Sequence, residues 1–458
     1  MVALHRARGV SRGAGRYAVR MLAHTDPAVH AARRARFLAA LDADAALVCS
    51  PPHHHRNADS EYRYRQASDL FYLTGWEDPE VVALFRPKSE LPFILFVQPK
   101  DPEREVWTGI REGVAGARER YGADAAYPIS ELGSRLGHLL QGYGTLHHRL
   151  GDDLAIDASV HRAVRGHAKV AARNGAELPW RFVDPGKSLG EMRITKEPGE
   201  VALLRRAGEI SAEAHVLAMR AGRPGVFEYE VEAAVDGHFR RSGGNGPGYT
   251  TIVGGGNNAN ILHYVTNREV LREGDLCLVD AGCEYRYYTA DITRTWPVSG
   301  RFSGPQRELY EVVLQAQVDA IDCARAGRAY REMHDVAVRR LVEGMVHLGI
   351  LQGDVDHNIV TETYRRYYMH GTGHWLGLDV HDAGAYWHGF ASRPLAPGMV
   401  LTAEPGLYIP RDDERAPEAF RGTGIRIEDD VLVTEGDPDV LTRDCPKTVA
   451  DVERACAG

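Results

Sequence analysis

The sequence predicts an α/β (α+β) protein of two domains. Three observations carry this. A chain of 458 residues exceeds what one hydrophobic core organises. From about Asp26 to Val183 helical patterns alternate with short apolar runs, and beyond about residue 190 a helix-helix-strand order occurs twice.

The first 25 residues hold Arg6, Arg8, Arg12, Arg16 and Arg20 and no acidic residue. A disordered basic tail, residues 1–25, is the expectation. A transit segment has the same bias, as does a start placed too far upstream, whereas a secretory signal would need an apolar centre.

Residues 26–190 form the first expected domain. The runs AALVCS (45–50), VVALF (81–85) and PFILFVQP (92–99) read as buried strands between helices. The segment VDPGKSLGEMRITKEPGE, with Pro and Gly near both ends, separates this pattern from a long amphipathic helix.

Residues 191–458 form the second. Helices are expected at about 198–221, ended by Gly222, and 226–241, then strands near 249–253, 275–281 and 288–297. Helices near 305–326 and 329–349 follow, with strands near 399–404, 406–410 and 424–434. Two similar halves whose strands meet at the centre make a natural place for a site.

Composition narrows the function classes. A net charge of −8 lacks the basic patch of a nucleic-acid partner. No stretch approaches the roughly 20 apolar residues of a membrane helix. The six cysteines are scattered without a CxxC pair, which excludes a zinc ribbon or disulfide framework and fits a reducing cytoplasm.

The chemistry gathers on the strands of the second domain. In DLCLVDAGCEYRYYTADITRTW, an apolar strand turns at Gly282 and returns as a Thr-rich strand, with Asp280 on one arm and Asp291 on the other. If the arms pair, both carboxylates reach one face and repel unless a cation holds them. HGTGHWLGLDVHD supplies His370, His374 and His381 among three glycines, so an extended loop is expected rather than a helix. Glu404 ends an apolar strand before Pro405-Gly406. In GIRIEDDVLV, Glu428 lies two residues from Arg426 and shares its face of a strand. Each carboxylate alone reads as a surface group or a cap. Four of them with one imidazole suit Mn²⁺ or a similar divalent ion.

Three other features are set aside. His53, His54 and His55 are adjacent in a loop and point different ways, so one ion cannot use all three. SGGNGPGY and GGGNNAN fit neither a phosphate loop nor a dinucleotide fingerprint.

The phrases DSEYRYRQASDLFYLTGWEDPE, VDAGCEYRYYTADITRTWPVSG, HGTGHWLGLDVHD and EPGLYIP together resemble the pita-bread metallopeptidases of family M24, nearest to the Xaa-Pro aminopeptidases (aminopeptidase P), from about residue 26 to the end. The resemblance implies a creatinase-like N-terminal domain and a pita-bread catalytic domain with pseudo-two-fold halves. It implies two divalent ions, with Mn²⁺ expected, Asp280 on one, His374 and Glu404 on the other, and Asp291 and Glu428 bridging. A hydroxide between them would be the nucleophile, Glu404 the proton shuttle, and His381 a stabiliser of the tetrahedral intermediate. His263, Tyr249 and His370 would shape the proline pocket beside Arg426. Asp59 and Trp107 would reach a neighbouring subunit's cleft in a homo-oligomer, dimer or tetramer. For His263 in ILHYV the competing expectation is a packed core histidine, because Ile261, Leu262 and Val265 read as core; for Asp59 a loop cap, and for Trp107 packing on the sheet.

The implied substrate is a peptide with proline second, whose scissile bond is a tertiary amide without an N–H. Prolidase, limited to dipeptides, is the near alternative. Methionine aminopeptidase needs no such N-terminal domain, a metal-free creatinase-like hydrolase would leave the carboxylates unbalanced, and a non-catalytic pita-bread binding protein would have lost ligand positions that are intact here.

Overall fold

The computed structural model describes residues 26–458. The expected basic tail, residues 1–25, lies outside the described residues. Two compact units divide at Leu189 and Gly190, inside the helix Gly186–Ile194. Among the described residues no helix is long and apolar enough to cross a membrane.

The N-terminal unit is built on a six-stranded mixed sheet. Its order is Ala125–Pro128, Phe93–Val97, Val82–Phe85, Ala45–Cys49, Thr145–His147 and Arg181–Val183. The three apolar runs read from the sequence are its central strands, buried on both faces. Helices Pro27–Leu41, Leu132–Leu139 and Leu154–Arg173 flank them in sequence, and Asp26 and Asp153 accept from the first free N–H groups of the first and last of these. Leu47, Leu84, Ile94, Phe96, Leu136 and Leu146 form one apolar cluster.

In the C-terminal unit the repeated order is present. Helices Pro198–Ala221 and Glu228–Arg241 precede a sheet of Ile252–Gly255, Leu276–Asp280 and Thr293–Pro297. Helices Gly304–Cys323 and Tyr330–His347 precede a sheet of Val400–Ala403, Asp429–Leu432 and Asp439–Val440. Ser303 and Gln306 form a capping box at the start of the third of these helices. Buried Val279, Trp296, Leu309, Val313, Leu341 and Ile425 join elements of both halves in one core.

Two expectations about strands are corrected. The run 288–297 is interrupted at Ala290–Ile292, and only Thr293–Pro297 pairs with Leu276–Asp280. The run 424–434 is two strands: Thr423–Arg426 pairs with Gly406–Ile409, and Asp429–Leu432 pairs with Val400–Ala403. Ile427 and Glu428 lie at the break, where Glu428 N donates to Thr293 O at 3.1 Å and so ties the two halves together.

Candidate metal centre

Each carboxylate stands where a strand ends or breaks. Asp280 closes its strand opposite Thr293, so Asp291 is not its direct partner but lies two residues earlier on the neighbouring arm. A spacing of two keeps Asp291 on the same face, which preserves the expected convergence. The turn between them is tight at Gly282: a Cβ there would lie 1.6 Å from Ala290 O, so no other residue fits. Glu404 follows Val400–Ala403, and its N–H donates to Thr372 O at 2.8 Å. Residues 370–382 contain no helix, as their glycines predict.

These side chains converge on one cavity of about 500 Å³, lined by Asp280, Asp291, His374, Glu404 and Glu428 together with His263, His370, His381, Tyr249 and Arg426. Asp291, His374 and Glu428 each offer a ligand atom within 4.8 Å of the others. His374 Nε2 lies 3.3 Å from Asp291 Oδ2 and 3.6 Å from Glu404 Oε1. Asp280 joins them through Tyr249, whose hydroxyl is 2.6 Å from Asp280 Oδ1 and 2.5 Å from Asp291 Oδ1.

Electrostatics show what this donor set requires. Burial, followed by repulsion from Asp280, raises the Asp291 carboxyl above its ordinary range. Burial and the surrounding carboxylates push Glu428 well up. Glu404 rises to about 7, chiefly through burial, which His374 and Arg426 only partly offset. His374 moves the other way for an imidazole: although burial opposes it, Asp291 and Glu404 raise it to about 9. A buried group of carboxylates that must otherwise take up protons is short of positive charge, and oxygen donors with one imidazole fit a hard divalent cation. The residues fit a metal.

The sequence-predicted neighbours fall into three sets. Tyr249 and Arg426 reach the cavity, yet their polar atoms are engaged by the carboxylates rather than turned to a substrate. Buried Arg426 places Nη2 2.6 Å from Asp280 Oδ2, Nε 3.0 Å from Thr293 Oγ1 and Nη1 2.9 Å from the Tyr408 hydroxyl. His370 places Nε2 2.8 Å from the same hydroxyl, and burial, then Arg426, lowers it to about 3. The exposed His381 sets its ring against that of His374, centroids 4.3 Å apart at 74°, and partial desolvation and then His374 keep its pKa below the ordinary value.

His263 corrects an expectation. Ile261 and Val265, read as core, are 54% and 49% exposed, and His263 itself is exposed at the cavity. The apolar run is a wall of the cleft, not of the interior. In the N-terminal unit, Asp59 sits in the exposed hairpin of His55–Asn57 and Ser60–Glu61, and Trp107 is 87% exposed, so it does not pack on the sheet.

Several supporting residues were not singled out from sequence. Thr293 Oγ1 donates to Glu428 Oε2 at 2.6 Å, and the Asp291 N–H donates to the buried Asp430 carboxylate at 3.1 Å. His334 and Tyr368 bind Thr372 Oγ1, at 2.9 and 2.6 Å, behind the loop that carries His370 and His374. Thr293 and Asp430 have nearness to a predicted ligand, in TADIT and IEDD, as their only sequence signal, and His334 and Tyr368 have none.

The fold and this centre define a metallopeptidase, and the chain belongs to metallopeptidase family M24, whose model matches residues 202–435. The aminopeptidase P N-terminal domain matches residues 30–147. Among curated relatives, the Xaa-Pro aminopeptidase of Escherichia coli (strain K12) is 45% identical over 411 residues, 89% of this chain and 92% of the relative. Human Xaa-Pro aminopeptidase 3 is 35% identical, over 90% of this chain and 80% of its own length. Among solved structures, the Pseudomonas aeruginosa aminopeptidase has a TM-score of 0.91 at 43% identity, covering 94% of this chain and 98% of that one. A variant of Escherichia coli aminopeptidase P in complex with substrate gives a TM-score of 0.90 at 42% identity with the same coverage. The C-terminal unit is therefore a pita-bread domain and the N-terminal unit its aminopeptidase P partner domain.

Proposed function

We propose that the protein is a metal-dependent Xaa-Pro aminopeptidase that releases the first residue from peptides with proline second. The observation that carries this reading is the cavity in which four carboxylates and His374 converge beside an exposed apolar wall. Asp280, Asp291, His374, Glu404 and Glu428 would hold two divalent ions, which supply an activated water and polarise the scissile carbonyl.

The remaining chemistry falls to the chain's own groups. Glu404, lining the cavity beside the proposed metal position, is placed to take a proton from the attacking water and pass it to the proline nitrogen. That nitrogen has no hydrogen of its own and leaves only when protonated. His381, exposed at the cavity and set against His374, supplies an N–H to the developing oxyanion. His263 and His370, with Leu262 and Val265, seat the proline ring on an apolar surface. Tyr249 and Arg426 hold Asp280 and Asp291 in place and complete the pocket wall.

Manganese suits the donor set, since four of five ligands are carboxylates. Six free cysteines suit a cytoplasmic protein. Val106, Trp107 and Ile110, 82 to 87% exposed, suit a homo-oligomer in which Trp107 and Asp59 meet a neighbouring subunit.

The test is hydrolysis of an Xaa-Pro-Xaa tripeptide and an Xaa-Pro dipeptide by chelated protein reloaded with Mn²⁺, with Asp291→Ala in parallel. Metal-dependent release of the first residue from the tripeptide, lost in the variant, is expected. Cleavage of the dipeptide alone would make the protein a prolidase, and activity that ignores chelation would remove the metal from the reaction.

A further inference from the structure

Next to His381 the chain buries a group of charges that the reaction itself does not use. Asp382, Arg193 and Lys196 are 6, 3 and 5% exposed. Lys196 Nζ lies 2.9 Å from Asp382 Oδ2, while Arg193 Nη2 binds Asp382 Oδ1 and lies 2.7 Å from Asp379 Oδ2. The carboxylate also organises its own loop. Asp379 N donates to Oδ1 at 3.3 Å, and Asp382 N donates to Trp375 O at 2.8 Å. Gly377 passes beneath it so closely that a Cβ would lie 2.2 Å from Oδ2.

Burying these charges is costly, and their mutual attraction does little more than offset the desolvation, so stability alone is a weak account of them. Their geometric effect is strong. Two cations from the segment 193–196 fix one carboxylate from two directions, and that carboxylate accepts from Asp379 N and packs on Gly377 within the loop that carries His381. His381 is the residue before it, and its ring is held over His374, 4.3 Å between centroids.

We propose that Asp382, clamped by Lys196 and Arg193, is the positioning residue that sets His381 over the metal centre. This rests on the reading that His381 acts on the tetrahedral intermediate. An imidazole on an unanchored loop would sample many orientations, and an oxyanion donor contributes only at hydrogen-bond distance and direction.

The experiment is a double-mutant cycle on the Mn²⁺-loaded protein with an Xaa-Pro-Xaa tripeptide. Asp382→Asn and Lys196→Met are each made in the wild type and in His381→Ala. In the wild-type background each lowers kcat by roughly 10- to 100-fold, with KM moving by less than about threefold. In the His381→Ala background neither causes a further loss, because the group they position is gone. Lys196→Arg, which keeps the charge, retains most of kcat. If Asp382→Asn does not fold, Lys196→Met, which leaves the Arg193 pair intact, carries the same cycle. Equal losses in both backgrounds, or an unchanged kcat in the wild-type background, overturn the positioning role. Failure of the wild type to cleave the tripeptide is a different result, and sinks the proposed reaction instead.

Discussion

Arg426 and Asp280 form a buried ion pair, Nη2 to Oδ2 at 2.6 Å, while Asp291 and Glu404 face His374. Asp280 thus has a fixed orientation before any cation arrives. The Tyr249 hydroxyl extends this by touching Asp280 and Asp291 at once.

Tyr249→Phe removes that hydroxyl and keeps the ring. Groups that orient metal ligands typically cost roughly 10- to 100-fold in affinity or activity when lost. Mn²⁺ affinity, titrated directly, and kcat are expected to fall in that range while KM for a tripeptide changes little. A rise in KM alone would instead place the hydroxyl on the substrate.

The raised Glu404 carboxyl links metal-free stability to pH. Its ordinary value is 4.5 and its folded value about 7. Between these the folded state holds more protons than the unfolded one, so this contribution is full below the lower value and is lost as pH rises through the upper. Glu404→Gln lacks the ionisation. The chelated variant should therefore gain in melting temperature relative to the chelated wild type as pH rises from about 5 to about 8, and Mn²⁺ should close the difference by raising the wild type. A gap that does not change with pH would mean that Glu404 does not titrate in this window.

Gly282→Ala tests the turn that brings Asp280 and Asp291 together. Its Cβ would collide with Ala290 O, a backbone atom that cannot swing aside as a flexible side chain does. The destabilisation belongs with the severe class, more than about 3 kcal/mol, and denaturant unfolding would measure it. A variant within about 0.5 kcal/mol of the wild type would show that the turn can open without cost.

Much of this was legible in the sequence because strands and glycines leave strong signals. The runs around Leu47, Leu84 and Ile94 became the central strands of the first sheet, and the glycines of HGTGHWLG correctly argued against a helix. Three of the converging residues stand next to a break: Asp280 before Gly282, Glu404 before Pro405, and Glu428 between two strands. Long-range pairing left no comparable signal. Nothing local to MRITK announces where those side chains go, and Lys196 meets Asp382 only because the fold brings residues 186 positions apart into contact. Burial was misread for the same reason at Ile261 and Val265, which look inward on a sequence but are about half exposed in the structure, Val265 at the cleft.

The five proposed ligands come from strand ends, a strand break and a loop in both halves of the C-terminal unit, the last of them at Glu428. A growing chain that has emerged only as far as the first half carries Asp280 and Asp291 but neither His374 nor Glu404, and one that has reached those still lacks Glu428. On the proposed ligand set, hydrolytic capacity therefore waits until both halves of the C-terminal unit have been made.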